Sequence, residues 1–512
     1  MLMSLSELAR RGVSTSVKNE IQDVAVIDIG SNSCRLLILT PEPNGHFRIR
    51  HEEKAVLKLI RSVDQDGRLS DEAELDLRRV LADFGNVIRS NDVERIDAVG
   101  TAALRAVSEP NEVLTSVGGV VRIIDGLTEA HLGFAAAVES LPIDEGLFID
   151  IGGGSTEVVR FKNRKLTCSD SLNLGGLRTS DRFFDSYPPA KKSLQNSSSW
   201  IQKKLDKSEA FSGHSSRVVG VGGTVRNIAK IHRSKTGFKF SRLHGYEMSI
   251  DDVRGVFDLL RLKSEQELLE LRGLNSNRID SIIGGTQILV EMMDRVNAAC
   301  LMVSGRGIRD SLATYGATTP PDQISSIEES RKRAIDAVCR RFASWNPDRA
   351  SRRASILERL LRLFDPEIPA RFHGHALHAA TMADVGSSLD YYNRWNHSAG
   401  VAETSELSGF DHRDITIISG SLCAADKHLR HLARFGEIIS SEERNQIRHI
   451  GIAIALADGI ERRLGENWVE LEHQRTDDNL SLSHPNLGAW DVTQVQNALE
   501  ALSGIQLSVG GR

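Results

Sequence analysis

Apolar runs and glycine turns alternate along the first 310 residues, a pattern that reads as buried strands joined to helices. Residues 26–33, VIDIGSNS, and residues 148–155, FIDIGGGS, share one plan. In each, a run suited to a buried strand reaches an Asp and then turns through Gly and small hydroxyl or amide residues. Leu36 to Leu39 follow the first turn and Val158 and Val159 the second, so the chain is expected to return each time as a second strand. Two such hairpins, with an acid near each tip, imply two like-built lobes facing one another. A third glycine turn, VVGVGGTVRNIA (218–229), joins an apolar strand to a helical pattern. The spacing over 71–88 and 127–139 predicts amphipathic helices. Strands alternating with helices predict an α/β architecture.

Thr318, Thr319, Pro320 and Pro321 break this alternation and predict a linker. Beyond it, SIEESRKRAIDAVCRRFASW (326–345), ILERLLRLF (356–364) and HIGIAIALADGIERRL (449–464) have helical spacing, and strand signals are scarce. The expected division is an N-terminal tail (1–20), a first lobe (21–144), a second lobe (145–314) and an all-α domain (315–512). A length of 512 residues suits three domains at roughly 100–200 residues each.

Composition narrows the class. Hydrophobic residues at 40% and charged residues at 26% are those of a globular protein and exclude a disordered or fibrous chain. No apolar run approaches the roughly 18 residues of a membrane span, and the first twenty residues lack the apolar core of a secretory signal. A net charge of −5 argues against a general nucleic-acid binder while leaving room for a local basic channel. The five cysteines, Cys34, Cys168, Cys300, Cys339 and Cys423, contain no C-x-x-C pair. They form neither a disulfide framework nor a zinc pattern, and a cytoplasmic home is expected.

A Gly- and Ser-rich turn exposes N–H groups that can surround phosphate oxygens. An Asp in the same turn would repel phosphate unless a divalent cation lay between them, so the pair of hairpins points to a Mg²⁺–phosphate arrangement. The residues also resemble a known family. VIDIGSNSCRLLIL (26–39), GTAALRA (100–106), TEAHLGF (128–134) and FIDIGGGSTEVV (148–159) are similar to segments of the exopolyphosphatase/guanosine pentaphosphate phosphohydrolase family, within the actin, hexokinase and heat-shock ATPase superfamily. LNLGGLRTSDRF (172–183), VGGTVRN (221–227), HGYEM (244–248) and VSGRGIRDSLA (303–313) continue the likeness in the family's order.

The resemblance implies two ribonuclease-H-like lobes facing a cleft and hydrolysis of a terminal phosphate. Glu129 matches the family's water-activating glutamate, although Thr128 stands where the family usually has a second acid. Asp150 matches its metal-linked acid, with Asp28 as the counterpart in the other lobe, and Glu157 matches the acid of the GGGS-x-E signature. Gly152, Gly153, Gly154 and Ser155 are expected to bind phosphate from one face, and Ser31, Asn32 and Ser33 from the other. Arg35 and Arg105 are the candidate phosphate clamps, because a guanidinium fork fits phosphate geometry; a surface or inter-lobe salt bridge is the other reading of each. Arg178 is either a further clamp or a residue that fixes its loop.

Polyphosphate carries about one charge per phosphate unit and needs a basic track beyond the cleft. Residues 230–246 contain Lys230, Arg233, Lys235, Lys239 and Arg242 with no acid, and residues 331–362 contain ten basic side chains against Asp336, Asp348 and Glu358. Each run is either such a track or a solvated helix face. More loosely, LHAATMADVGSSLDYY (377–392), NHSAG (396–400) and ELSGFDHRD (406–414) resemble the degenerate HD-type domain of longer family members. Ala383 precedes Asp384 there, so His373, His375, His378, His397 and Asp458 are not expected to hold a metal. This domain is expected to bind the substrate chain and to form a homodimer. The expected activity is Mg²⁺-dependent release of orthophosphate from polyphosphate ends. Its alternatives are conversion of guanosine pentaphosphate to tetraphosphate, and a non-catalytic sensor of either anion. Contact with nucleic acid or insertion in a membrane is not expected.

Overall fold

Strand β1 (Val24–Ile29) is buried along its whole length except at Asp28, as a central strand covered on both faces must be. The computed structural model in which it sits describes residues 22–42, 47–108, 121–316, 318, 320, 322–364, 368–426, 435–436, 438–476, 478–488 and 490–510. The expected N-terminal tail, and Thr319 and Pro321 of the expected linker, lie outside these residues. Contacts divide the chain into two units, one ending at Ser330 and one beginning at Arg331.

The first unit holds two sheets. In the first, β1, β2 (Ser33–Pro41), β3 (Phe47–Val56), β4 (Arg95–Gly100) and β5 (Val121–Ile123) run in the order β3-β2-β1-β4-β5. In the second, β6 (Gly146–Ile151), β7 (Thr156–Lys162), β8 (Lys165–Leu172), β9 (Arg217–Val221), β10 (Tyr246–Ser249) and β11 (Cys300–Val303) run in the order β10-β11-β9-β6-β7-β8. The repeat seen in sequence is a repeat in space. β1–β2 and β6–β7 are antiparallel hairpins, and β4 and β9 join them in parallel. The first turn closes with the Gly30 N–H donating to the Ser33 carbonyl at 3.1 Å, and the second with Gly152 donating to Ser155 at 3.0 Å. Register sets Asp28 opposite Arg35 in one hairpin and Asp150 opposite Glu157 in the other.

Helix α1 (Asp71–Ser90), capped by Ser70, lays Leu77, Leu81, Phe84 and Ile88 against Ala25, Ile27 and Ile29 on one face of the first sheet. Helix α2 (Gly126–Ser140) was expected to be amphipathic, yet nine of its residues, from Ala130 to Ser140, are buried. The reason is its position between the sheets. Ala130, Phe134 and Val138 pack on Phe148, Phe161 and Val219 of the second sheet, while Leu132 joins Val24, Val26 and Leu39 of the first. A helix covered on both sides needs no polar stripe. Helix α3 (Gly222–Thr236) covers the far face of the second sheet through Val225 and Ile228. Helix α4 (Ile308–Tyr315) carries the chain back to the first sheet through Leu312 and Ala313.

The second unit contains helices α5 (Pro347–Phe364), α6 (Ala370–Met382), α7 (Arg394–Thr404), α8 (His412–Ala425), α9 (Ser441–Leu464) and α10 (Thr493–Ser503). It is not all-α. β12 (Glu472–Arg475), β13 (Asn479–Ser483) and β14 (Gln506–Gly510) form a three-stranded sheet, with α10 as the crossover between the parallel pair β13 and β14. NLSLS does alternate, burying Leu480 and Leu482, but five residues of alternation are a weak signal beside long helices. No helix among the described residues is long and apolar enough to cross a membrane.

Much of the basic run 331–362 is taken up inside this unit. Arg353, fully buried, donates from Nε to Asp458 at 2.9 Å, from Nη1 to the Ala380 carbonyl at 3.0 Å and from Nη2 to Asp384. Arg349 and Arg352 pair with Glu461 at 3.0 and 2.9 Å, and Arg331 with Asp414 at 2.9 Å. His375 also bonds Asp414, at 2.6 Å, so it serves a buried ion cluster. Removing one partner from a buried ion network leaves an uncompensated charge. Arg353→Ala is expected to cost about 3 kcal/mol in denaturant unfolding, with Arg353→Lys intermediate because ammonium cannot span two carboxylates and a carbonyl in one plane.

Candidate active site

The two hairpin turns meet. Ser31 of the first lies beside Gly153 and Gly154 of the second, so close that a Cβ on Gly154 would stand 2.8 Å from the Ser31 hydroxyl. Around them is a cavity of about 130 Å³. Its walls include Asp28, Ser31, Asn32, Ser33, Arg35, Glu129, Asp150, Gly152, Gly153, Ser155 and Glu157. Eleven of the fourteen candidate site residues singled out from the sequence are therefore brought to one place; Gly154, Arg105 and Arg178 are not in its lining. Gly154 instead supports the turn from behind, its carbonyl accepting from Arg178 Nε at 3.1 Å, which makes Arg178 a loop-fixing residue.

Glu129 stands in the first turn of α2. Asp125 caps that helix by accepting from the Leu127 and Thr128 N–H groups, each at 2.9 Å, and from the Thr128 hydroxyl at 2.8 Å. Thr128, the departure from the usual acid pair, thus has a local use. Arg105 was expected to clamp phosphate. Its guanidinium instead donates to Glu129 Oε2 at 2.6 Å and to the Ile124 carbonyl at 3.0 Å, with Glu157 at 3.8 Å. Glu157 also accepts from the Ser171 hydroxyl at 3.0 Å.

Burial governs the electrostatics, because removing water penalises the charged form. It raises Asp150 to about 6, with Arg226 opposing and Asp28 adding to the rise. It raises Glu157 to about 7, helped by the Asp150 charge directly across the hairpin. Glu129 is pushed well above the usual carboxylate range by burial and by Glu157, against the pull of Arg105. Asp28 is raised by burial even though Arg309 and Arg35 face it.

Three arginines that sequence reasoning did not single out complete the walls: Arg226, Arg278 and Arg309. Arg226 and Arg309 lie inside two of the quoted segments, VGGTVRN and VSGRGIRDSLA, so a search of those segments for phosphate-matching forks would have found them. Arg278 lies in no such segment, and only the fold brings it in. Burial lowers Arg35 to about 10, with Arg309 and Arg226 adding to the effect. It lowers Arg278 to about 10, with Arg35 adding. The guanidiniums repel one another, and an anion among them would relieve that repulsion. Both polar side-chain atoms of Asn32 are buried without a hydrogen-bond partner, an unmet demand of the kind a ligand oxygen fills.

Two glycines at the start of α3 are required sterically. Gly222 has φ of +94°, and a Cβ there would stand 2.6 Å from Asp150 Oδ1; a Cβ on Gly223 would strike the Arg278 guanidinium at 2.2 Å. The third glycine turn therefore admits the acid and the arginine to the same cavity.

Known proteins share this unit. Exopolyphosphatase 2 of Mycobacterium tuberculosis is 28% identical over 311 residues, which cover 57% of this chain and 97% of that protein. The crystal structure of the Aquifex aeolicus member of the Ppx/GppA family is 28% identical with a TM-score of 0.51, covering 58% of this chain and 97% of that one. The structure of an exopolyphosphatase from Cytophaga hutchinsonii, 22% identical with a TM-score of 0.54 over 59% of this chain and all of that one, shares the fold. The Ppx/GppA phosphatase family matches residues 37–315, a span that runs from within β2 to the end of α4 and takes in the second hairpin turn, the first turn lying just before it. With the twinned hairpins, the crossing helices and this match in agreement, the chain belongs to the Ppx/GppA phosphatase family.

Proposed function

We propose that the protein is an exopolyphosphatase, releasing orthophosphate from the ends of inorganic polyphosphate. The observation that carries this reading is one cavity holding both hairpin turns, Glu129, the unpartnered Asn32 and four arginines. A phosphate at the end of a chain would accept hydrogen bonds from the Gly152–Ser155 turn on one side and from Ser31 to Ser33 on the other. Arg35, Arg226, Arg278 and Arg309 would take the charge of its oxygens and of the next unit. Glu129 would orient a water and accept its proton as the water oxygen bonds to phosphorus and the bridging P–O bond breaks, its charge leaving on the shortened chain. Burial makes Glu129 a stronger base than an exposed glutamate, and Arg105 fixes its direction.

The same cavity suits a divalent cation. Asp28 and Asp150 both line it, and the Asp28 charge adds to the rise at Asp150; two carboxylates, waters and substrate oxygens are what Mg²⁺ usually takes. Such an ion would neutralise charge on the transferred phosphoryl group. Among the described residues the cavity lining includes no aromatic side chain on which a guanine could stack, which favours polyphosphate over guanosine pentaphosphate.

Phosphate release from long polyphosphate and from guanosine pentaphosphate, measured side by side with Mg²⁺, tests the choice. The higher kcat/KM is expected for polyphosphate, and the reverse order would assign the nucleotide. Glu129→Gln keeps the shape and the bond from Arg105 but removes the base, so kcat should fall by about 10²–10⁴-fold with KM little changed. A loss confined to KM would remove Glu129 from the water-activating role.

The raised acids also set a stability trend. Asp150 and Glu157, at about 6 and 7, hold protons more tightly folded than unfolded, so their contribution is full below about pH 4 and is lost as pH rises to about 7. The metal-free protein should accordingly lose thermal stability between about pH 4 and 7. Glu157→Gln should flatten that slope, and Mg²⁺ should raise the midpoint more at pH 8 than at pH 5.

A further inference from the structure

The last carbonyls of a helix have no donor within it, and Ser140 ends α2. His244, in the HGYEM segment, places its Nε2 3.0 Å from the Ser140 carbonyl. On the other side of the ring, the Gly305 N–H donates to Nδ1 at 3.2 Å. Only the neutral imidazole with its proton on Nε2 can make both bonds, donating to the carbonyl and accepting from the amide. Gly305 belongs to the loop between β11 and α4, and its own carbonyl accepts from Arg226 Nη1 at 3.4 Å. Three residues further on that loop enters α4, whose first turn carries Arg309. A Cβ on Gly305 would lie 3.2 Å from His244 Cβ, so the loop rests directly on the imidazole.

We infer that His244 is a positioning residue for anion binding: it lies outside the cavity lining and sets the height of the Gly305 loop, and through it Arg226 and Arg309. The inference rests on the reading that the cavity takes a phosphate chain. The same ring ties this loop to α2, whose opposite end presents Glu129, so one side chain links the base-bearing helix to the arginine-bearing loop. The bond that matters for affinity is the one to Gly305; the one to Ser140 anchors the ring.

Two near-isosteric variants separate the bonds. His244→Asn keeps an acceptor oxygen where Nδ1 stands and loses the donor to Ser140. His244→Gln keeps an amide N–H where Nε2 stands and loses the acceptor for Gly305. Each loses one hydrogen bond, so each controls for the stability cost of the other. Tripolyphosphate affinity by calorimetry, together with KM and kcat on long polyphosphate, should show His244→Gln weakened about fivefold or more in Kd and KM, the scale of one net hydrogen bond, with kcat nearly unchanged. His244→Asn should stay within about twofold of wild type. Equal weakening of both variants would overturn the inference and leave His244 a space-filling residue, as would a His244→Gln affinity equal to wild type. Wild-type protein that binds tripolyphosphate without releasing phosphate from polyphosphate would defeat the exopolyphosphatase reading, while the affinity comparison would still decide the role of His244.

Discussion

Five carboxylates and four guanidiniums share the walls of one small cavity, and the first unit is arranged around the cost of keeping them there. Buried charge is tolerated only when paired or relieved by a ligand. The two hairpins meet this demand differently. In the first, register places Arg35 across from Asp28, so the acid has a cation built into its own ribbon. In the second, Asp150 faces Glu157, and the ribbon itself supplies only repulsion. The duplication therefore repeats the strand pairing but not the charge. The second hairpin depends on groups from elsewhere: Arg105 from the first lobe, Arg226 at the start of α3, and whatever cation or proton the site takes up.

That inequality explains why Arg105 is turned toward carboxylates. The Glu157 charge adds to the rise at Glu129, and Arg105 is the fork within reach of both. An arginine committed in this way holds Glu129 in place, whereas other arginines of the cavity lack a carboxylate so close. Arg226 and Arg278 fit that description; Arg309 and Arg35 share Glu52, at 2.8 and 3.6 Å. The sequence motif alone could not distinguish the two uses, because a guanidinium fork suits carboxylate and phosphate equally well.

What was legible in the sequence follows the range of the interaction that produces it. The hairpins, their acids and the small residues of their turns are local, and their repetition at Asp28 and Asp150 made the two-lobed α/β architecture readable before any coordinates. The environment of α2 was not readable. Its alternation looked amphipathic because burial against two sheets from distant segments leaves no trace in fifteen residues. Arg278 was missed for the same reason, since its place in the cavity depends on Gly223 leaving room 55 residues earlier in the chain. The sheet of the second unit escaped because β12 to β14 are four or five residues long, too short for a period of two to stand out from noise.

The arginines of the second unit show how far a local charge count can mislead. Residues 331–362 carry a surplus of cations that looks like a track for a polyanion. Folding brings Asp384, Asp414, Asp458 and Glu461 to meet them, none of which is in that stretch. Part of the charge visible in sequence, at Arg331, Arg349, Arg352 and Arg353, is thereby paired with acids 31 to 112 residues away. In the first unit the opposite occurs: cations scattered from Arg35 to Arg309 gather where acids alone would be unstable. The electrostatic sites of this protein are properties of contact order more than of composition. How much of a basic segment's charge is left unpaired is decided by the acids that folding brings within reach of it, not by the segment's own count.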